Sequence, residues 1–231
     1  MPSDRLHDVL HRIQAAADAA GRPAPALLAV SKLQPAAAVA ALAAAGQRAF
    51  GENYVQEAAA KRQALDPALD AGLEWHLIGH LQSNKAALAA RVFDWVHSVD
   101  RPSVVQALGK ARDPARGQLN VLIQVNMEGE PGKAGCAPAE APALARAIAA
   151  QPLLRLRGLM LIPVPHEDPQ ARRPAFARTR ELFQALAAEH PSMDTLSMGM
   201  SDDFPVAIAE GATLVRIGTA LFGPRPPRTP A

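Results

Sequence analysis

The sequence predicts a single α/β domain built as a closed (β/α)₈ TIM-type barrel. Short apolar runs alternate with alanine-rich helical segments along the chain, and this order requires parallel strands joined by right-handed crossovers. Eight such units fit into 231 residues, close to the ~250 residues that a barrel of this kind takes. No shift in composition marks a second domain, so we expect one barrel over residues 1–223.

Each strand is predicted from an apolar run bounded by turn residues. The predicted strands cover residues 26–31, a short stretch from 49 leading into 51–54, then 74–79, 95–99, 121–125, 156–162, 195–200 and 213–217. The helices after them are predicted at 35–45, 54–65, 84–91, 101–112, 138–150 and 174–189, with a short helix ending at Gly211.

Three further segments complete the chain. An extra N-terminal helix is predicted over 3–20, because Leu6, Val9, Leu10 and Ile13 share one face of a helical repeat. The pair Asp66-Pro67 is interpreted as a helix breaker. The Pro-rich tail 224–231 is expected to be disordered.

Charge and composition exclude several classes of protein. The 24 Lys+Arg against 22 Asp+Glu give a formal charge of +2 without blocks of like charge, so nucleic acid and membrane binding are not indicated. The single cysteine, Cys136, excludes an intramolecular disulfide and suits a reducing compartment. No apolar run approaches the roughly 20 residues of a membrane span, and the N-terminus has no signal-like apolar region. We therefore expect a cytoplasmic protein.

Ligands of such barrels bind where the strands end, so polar residues at these positions are the candidates for function. The first strand ends at Ser31-Lys32. A lysine there is either a solvated loop residue or an amine that condenses with an aldehyde or ketone. The spacing alone leaves both interpretations open.

The same rule selects further residues, which share a position at or just after a strand. They are Asn53, His76, His80, Asp100, Asn126, Ser197, Ser201, Arg216, Gly218 and Thr219. The loops after the seventh and eighth strands combine glycine, which lets the backbone approach an anion, with hydroxyl donors. Either loop alone could be ordinary turn chemistry, but both together opposite Lys32 indicate a phosphorylated carbonyl ligand.

A metal site is not expected. His76 and His80 are four residues apart, but the sequence between them lacks the glutamate of a zinc-protease helix. A protein zinc site also needs three or four ligands. Packing or loop roles explain these histidines better than metal binding does.

Several long motifs resemble a known family. They are Ala29-Val30-Ser31-Lys32, Phe50-Gly51-Glu52-Asn53-Tyr54-Val55-Gln56-Glu57, His76-Leu77-Ile78-Gly79-His80-Leu81-Gln82-Ser83-Asn84-Lys85, Leu196-Ser197-Met198-Gly199-Met200-Ser201-Asp202-Asp203 and Val215-Arg216-Ile217-Gly218-Thr219-Ala220-Leu221-Phe222-Gly223. The chain resembles the pyridoxal phosphate homeostasis protein family, also called the proline synthase co-transcribed family, from about residue 5 to Gly223. The resemblance implies an alanine racemase N-terminal-like, fold-type III barrel that carries pyridoxal 5′-phosphate (PLP) without an established reaction. It also implies a role as a carrier or regulator in vitamin B6 balance.

The resemblance further implies which residues hold the cofactor. Lys32 would carry PLP as a covalent Schiff base, which requires a neutral amine. The other contacts would be Ser201, Gly218 and Thr219 at the phosphate, Ser197 and Met198 beside it, Arg216 at the pyridine nitrogen, and Asn53 near the ring. Leu161 stands where the family has threonine, and the 128–135 loop is unusually rich in glycine. Both departures concern the rim of the site.

The same residues argue against catalysis. Arginine stays protonated in proteins, so Arg216 would keep the pyridine nitrogen unprotonated and the ring a poor electron sink. The second domain that supplies a racemase with its opposite base is not expected, and Tyr54 is the chain's only tyrosine. We expect a non-catalytic, monomeric PLP-binding protein that serves apo PLP-dependent enzymes. The alternatives are a weak amino-acid racemase or lyase and a Schiff-base aldolase without bound cofactor.

Overall fold

Eight short strands pair in chain order into a closed parallel barrel in the computed structural model, which describes residues 1–223. The strands are β1 (Ala26–Val30), β2 (Ala49–Glu52), β3 (Glu74–Leu77), β4 (Trp95–Val99), β5 (Leu119–Val125), β6 (Leu154–Leu161), β7 (Thr195–Ser197) and β8 (Leu214–Ile217). The predicted fold class and the existence of all eight strands are confirmed. The Pro-rich tail predicted at 224–231 lies outside the described residues.

Helices surround the barrel and connect its strands. They are α1 (Pro2–Ala20), α2 (Ala36–Ala44), α3 (Val55–Ala64), α4 (Pro67–Ala71), α5 (Ala86–Val92), α6 (Pro102–Ala111), α7 (Ala141–Ala149), α8 (Arg173–Glu189), α9 (Phe204–Ala209) and α10 (Thr219–Phe222). Short 3₁₀ turns precede α5, β5, α7 and α8, at Ser83–Lys85, Pro114–Arg116, Pro138–Glu140 and Pro169–Arg172. Within residues 1–223, no helix is both long and apolar enough to cross a membrane.

The interpretation of Asp66-Pro67 as a breaker was incomplete, because the pair also begins α4. The Asp66 side chain accepts hydrogen bonds from the backbone N–H groups of Ala68 at 2.9 Å and Leu69 at 3.2 Å. It therefore caps a helix that starts with a proline, whose fixed φ suits the first helical turn. One Asp-Pro pair thus ends α3 and starts α4.

The extra N-terminal helix is confirmed, and it packs on the outside of the barrel against its last helices. Leu6, Val9 and Ile13 are buried, whereas Leu10 is 42% exposed and lies outside the apolar face predicted for it. The helix packs against α9 and α10. It ends at Gly21, whose φ of 61° is a left-handed conformation that glycine adopts without strain.

The barrel closure brings the two ends of the described chain together. β1 pairs with β2 through Ala29 and Phe50, and with β8 through Ala29 and Ile217. The loops that leave these three strands therefore emerge side by side at the carboxyl edge of the barrel. This edge carries Lys32, Asn53 and the 218–219 loop.

Candidate functional site

A cavity of about 660 Å³ opens at the carboxyl ends of the strands. Its wall contains most of the residues that the sequence selected for the site: Lys32, Asn53, Ser201, Arg216, Gly218 and Thr219. They come from the carboxyl ends of β1, β2, β7 and β8. In the closed barrel these strands are consecutive neighbours in the order β2, β1, β8, β7. The lysine, the guanidinium and the two hydroxyl-bearing loops therefore face one space.

Ser197 and Met198 lie behind this wall. Both are fully buried, Ser197 at the end of β7 and Met198 within the hydrophobic core. Because side chains alternate along a strand, Ser197 points into the barrel interior, where it contacts Arg216, and Met198 packs away from it. Neither residue lines the cavity, and their place beside the phosphate stays a prediction.

The segment that presents Lys32 has an unusual backbone. Leu33, the next residue, has a φ of 63°, a conformation that costs a residue with a side chain about 1–3 kcal/mol. Its N–H donates a hydrogen bond of 2.5 Å to the Glu57 carboxylate of α3. The carboxylate therefore compensates for the strained turn that aims the preceding lysine at the cavity.

A buried ion pair supports the same turn from outside the barrel wall. Lys61 on α3 donates to the Glu52 carboxylate at 2.7 Å, to Glu57 at 2.7 Å and to the Ser31 carbonyl at 2.6 Å. The Ser31 hydroxyl also donates to Glu52, at 2.6 Å. Burial raises the pKa of Glu52 despite the neighbouring lysine. Residues on both sides of Lys32 are thus fixed by one charged network.

Arg216 is buried on β8 and is held by backbone and side-chain acceptors. Its Nη1 donates to the Ser197 carbonyl and hydroxyl oxygens, both at 2.8 Å, and its Nη2 donates to the Leu161 carbonyl at 2.8 Å. A guanidinium has five N–H groups, so these bonds leave donors for a ligand in the cavity. Burial lowers the pKa of Arg216 to about 10, which keeps the group charged at neutral pH.

The two predicted phosphate loops have rigid supports. Asp203 accepts from the Met200 N–H at 2.6 Å and from Arg172 at 2.7 Å, which holds the loop that contains Ser201. At Gly218, an added Cβ would lie 3.1 Å from the Val30 carbonyl oxygen, so the 218–219 loop packs tightly on β1 and a side chain there would require the neighbouring backbone to move by a few tenths of an ångström. The first turn of α10 follows directly. The N–H groups of Leu221 and Phe222 donate to the Gly218 carbonyl, so the earlier N–H groups of this turn are the ones that could donate to a ligand.

Sequence reasoning missed several residues of the wall. The polar ones are Arg12 of α1, Gln34 and Asp202, and the apolar ones include Ile78 and Ile162. Arg12 is half-exposed and its guanidinium lies 5.3 Å from the centre of the Phe204 ring. No local pattern in α1 indicates this role, because the packing of α1 on α9 alone brings the residue there. Asp202 lies next to Ser201 and could have been selected with it.

Other residues selected by the strand-end rule lie elsewhere. His76 lies within β3 and is buried in the barrel interior below the cavity. The strand ends at Leu77, and not at Gly79 as predicted. His80 is half-exposed, 3.7 Å from Asp100. Asn126 holds the 128–135 loop through bonds to the Gly129 N–H and the Glu130 carbonyl. Among the described residues, no group of acidic, histidine or cysteine side chains could hold a metal ion.

Comparisons with known proteins show the family of this chain. Residues 5–226 match the family model described as alanine racemase, N-terminal domain. A pyridoxal phosphate homeostasis protein of Pseudomonas aeruginosa is 54% identical over 231 residues, covering 99% of this chain and 98% of that protein. The chain belongs to the pyridoxal phosphate homeostasis protein family.

Two solved structures show the same barrel fold over most of this chain. The structure of PipY from Synechococcus elongatus PCC7942 with PLP bound has a TM-score of 0.85 at 38% identity, and covers 96% of this chain and 100% of PipY. An alanine racemase from Corynebacterium glutamicum has a TM-score of 0.64 at 21% identity, and the match covers 94% of this chain and 61% of the racemase. The second likeness concerns the fold alone.

Proposed function

We propose that this protein binds PLP covalently through Lys32 and serves in intracellular PLP homeostasis without catalysing a reaction. The observation that carries the proposal is the single cavity that Lys32 shares with Arg216 and with the loops of Ser201 and Gly218-Thr219. The binding of PLP by a relative that matches almost the whole chain supports it. So does the name of the homeostasis proteins to which the chain is 46–54% identical.

The residues present fit this cofactor. A volume of about 660 Å³ lies within the range of small-molecule sites. Hydroxyls of Ser201 and Thr219, with the N–H groups at the start of α10, are the donors that a phosphate needs. When bound, PLP would supply an aldehyde carbon, with which a lysine amine condenses by losing one water. Lys32 is the lysine in the cavity wall.

The polar groups around the cavity favour storage over turnover. Arg216 is charged and buried, so it would donate to the pyridine nitrogen and keep it unprotonated, which weakens the ring as an electron sink. Within the described part of the wall, the titratable side chains besides Lys32 are Arg12, Asp202 and Arg216. Asp202 is beside the proposed phosphate-binding Ser201, and Tyr54 is exposed outside the wall. A proton donor and acceptor opposite Lys32 is therefore not provided by these residues.

The remaining features of the proposal concern its setting. We propose a cytoplasmic monomer that delivers PLP to apo PLP-dependent enzymes and has no nucleic acid or membrane partner. The near balance of charge and the single buried cysteine support this setting.

Absorption spectroscopy tests the covalent attachment. Purified protein incubated with PLP should acquire a visible band that persists after gel filtration, and Lys32→Ala should abolish it. Lys110→Ala, which changes an exposed lysine on α6, is the matched control and should behave as wild type. A band that survives in Lys32→Ala would show that another residue holds the cofactor.

Turnover assays test the absence of catalysis. The PLP-loaded protein should leave the chirality and concentration of added amino acids unchanged over many hours. Steady conversion of any amino acid, lost in Lys32→Ala and kept in Lys110→Ala, would establish a weak racemase or lyase and overturn the carrier proposal.

A further inference from the structure

A line of hydrogen-bonded side chains runs through the barrel interior beneath the cavity. Glu74 contacts His76 Nε2 at 2.7 Å, and His76 Nδ1 contacts His97 Nε2 at 2.9 Å. His97 Nδ1 contacts the Ser197 hydroxyl at 3.2 Å, which contacts Arg216 at 2.8 Å. His76, His97 and Ser197 are at most 1% exposed. The line joins the floor of the barrel to the guanidinium in the cavity wall.

The chemistry of its two ends fixes the direction of donation along this line. Arg216 can only donate and an ionised Glu74 can only accept, and the hydrogen bond with His76 lowers the pKa of Glu74. Burial lowers the pKa of His97 well below its ordinary value, so this ring is neutral. A neutral His97 carries one ring proton, and placing it on Nε2 lets it donate to His76 Nδ1 while His76 donates from Nε2 to Glu74.

The remaining two bonds then follow. His97 Nδ1 carries no proton and accepts the Ser197 hydroxyl proton, so the Ser197 oxygen accepts from Arg216. The opposite order would leave the Ser197 hydroxyl proton without an acceptor in the line, and an unpaired buried donor is costly. One tautomer of His97 therefore satisfies every group.

We propose that His97 is a positioning residue, which orients the Ser197 hydroxyl so that it accepts from Arg216 and thereby fixes the guanidinium toward the pyridine ring. The role at the ring rests on the proposed PLP binding. His97 does not line the cavity, and its hydrogen bonds reach Arg216 through Ser197. His76 is its second support, held by stacking on Trp95 with ring centres 5.2 Å apart.

The first experiment reads the His97 tautomer directly. Long-range ¹H–¹⁵N correlation spectra of the purified protein should show His97 neutral, protonated at Nε2 and unprotonated at Nδ1, with or without added PLP. A His97→Asn sample assigns the signals. Protonation at Nδ1 would overturn the proposal, and this reading holds whether or not PLP binds.

The second experiment compares three substitutions of His97 by titration with PLP. Asparagine places an acceptor where Nδ1 lies and keeps the Ser197 bond, glutamine reaches only the Nε2 position, and leucine supplies neither. We expect His97→Gln and His97→Leu to raise the Kd for PLP about tenfold, the usual effect of one lost buried hydrogen bond. The visible band of the bound cofactor should also shift in both variants, whereas His97→Asn should stay close to wild type in both readings.

Two outcomes separate this proposal from the proposed function. Equal weakening by asparagine and glutamine, or no weakening by either, would reduce His97 to a space-filling residue while leaving PLP binding intact. Absence of a Lys32-dependent band in the wild type would reject PLP binding itself. If His97→Leu does not fold, the comparison of asparagine with glutamine decides alone.

Discussion

Replacing Lys61 with methionine should destabilise the protein by about 3–5 kcal/mol, the usual cost of removing one partner from a buried ion pair. The Glu52 side chain is fully buried, the Lys61 side chain is 7% exposed, and their charged atoms are 2.7 Å apart. Methionine keeps the apolar stem of the lysine but leaves Glu52 without its counter-charge. The loss also removes a donor to the Ser31 carbonyl, so the effect should lie in the upper part of that range.

The deficit should depend on pH with a definite sign. Burial already raises the pKa of Glu52 above its ordinary value of 4.5 in the folded protein, and losing Lys61 should raise it further. A carboxyl with a raised folded pKa holds its proton more tightly in the folded state, so stability falls as pH rises from the unfolded pKa through the folded pKa. The deficit of Lys61→Met should therefore be complete near pH 8 and shrink toward about pH 5.

Urea unfolding followed by circular dichroism at both pH values measures this effect. Lys110→Met, an exposed lysine on α6, is the matched control and should change stability by less than about 0.5 kcal/mol. Adding Glu52→Gln to Lys61→Met should restore most of the loss, because no buried charge then remains. A deficit below about 1 kcal/mol, or one that does not shrink in acid, would refute the reasoning.

Three further predictions concern close packing and reactivity. Gly79→Ala should destabilise the protein by several kcal/mol in urea unfolding, because the new Cβ would lie 2.7 Å from the Asn53 Cα and the backbone would have to move. A loss of stability under about 1 kcal/mol would contradict this prediction. Gly218→Ala should weaken PLP binding in a titration, because its Cβ would press on the Val30 carbonyl at 3.1 Å and displace the 218–219 loop. An unchanged Kd would show that this loop does not touch the phosphate of PLP. Cys136 should react with iodoacetamide at pH 7.5 only after unfolding, because burial raises the pKa of its thiol to about 12; fast labelling of the native protein would contradict this.

The architecture was predictable because each strand is a separate apolar run and each connection contains a helical segment. The errors had more than one cause. Asp66-Pro67 ends one helix and caps another, and a breaker rule records only the first event. Leu10 has the right residue type for the apolar face of α1, but its exposure depends on where α9 and α10 lie. Such positions are decided by tertiary packing, which sequence periodicity does not contain.

For the candidate site, the sequence predicted several residues of the cavity wall, but not the residues that hold the wall in place. Lys32, Arg216 and Gly218 follow from strand ends and family motifs, and the structure brings them to one cavity. Glu57 lies inside the family motif of residues 50–57. Its hydrogen bond from the Leu33 N–H depends on a turn in which Leu33 has a positive φ, and no residue pattern in the sequence predicts that turn. Arg12 is far away in sequence, so only the packing of α1 could show it.

The pairing of β1 with β8 has a consequence for how the protein matures. Lys32 belongs to the first strand–loop unit and Gly218-Thr219 to the last, so the site lies across the seam where the barrel closes. Contacts between segments so distant in sequence form late and slowly, because a long loop must be ordered first. A ligand that bridges the seam binds only the closed barrel and stabilises it by mass action. Binding of the family's cofactor would thus stabilise the closed barrel relative to chains in which β1 and β8 are not yet paired.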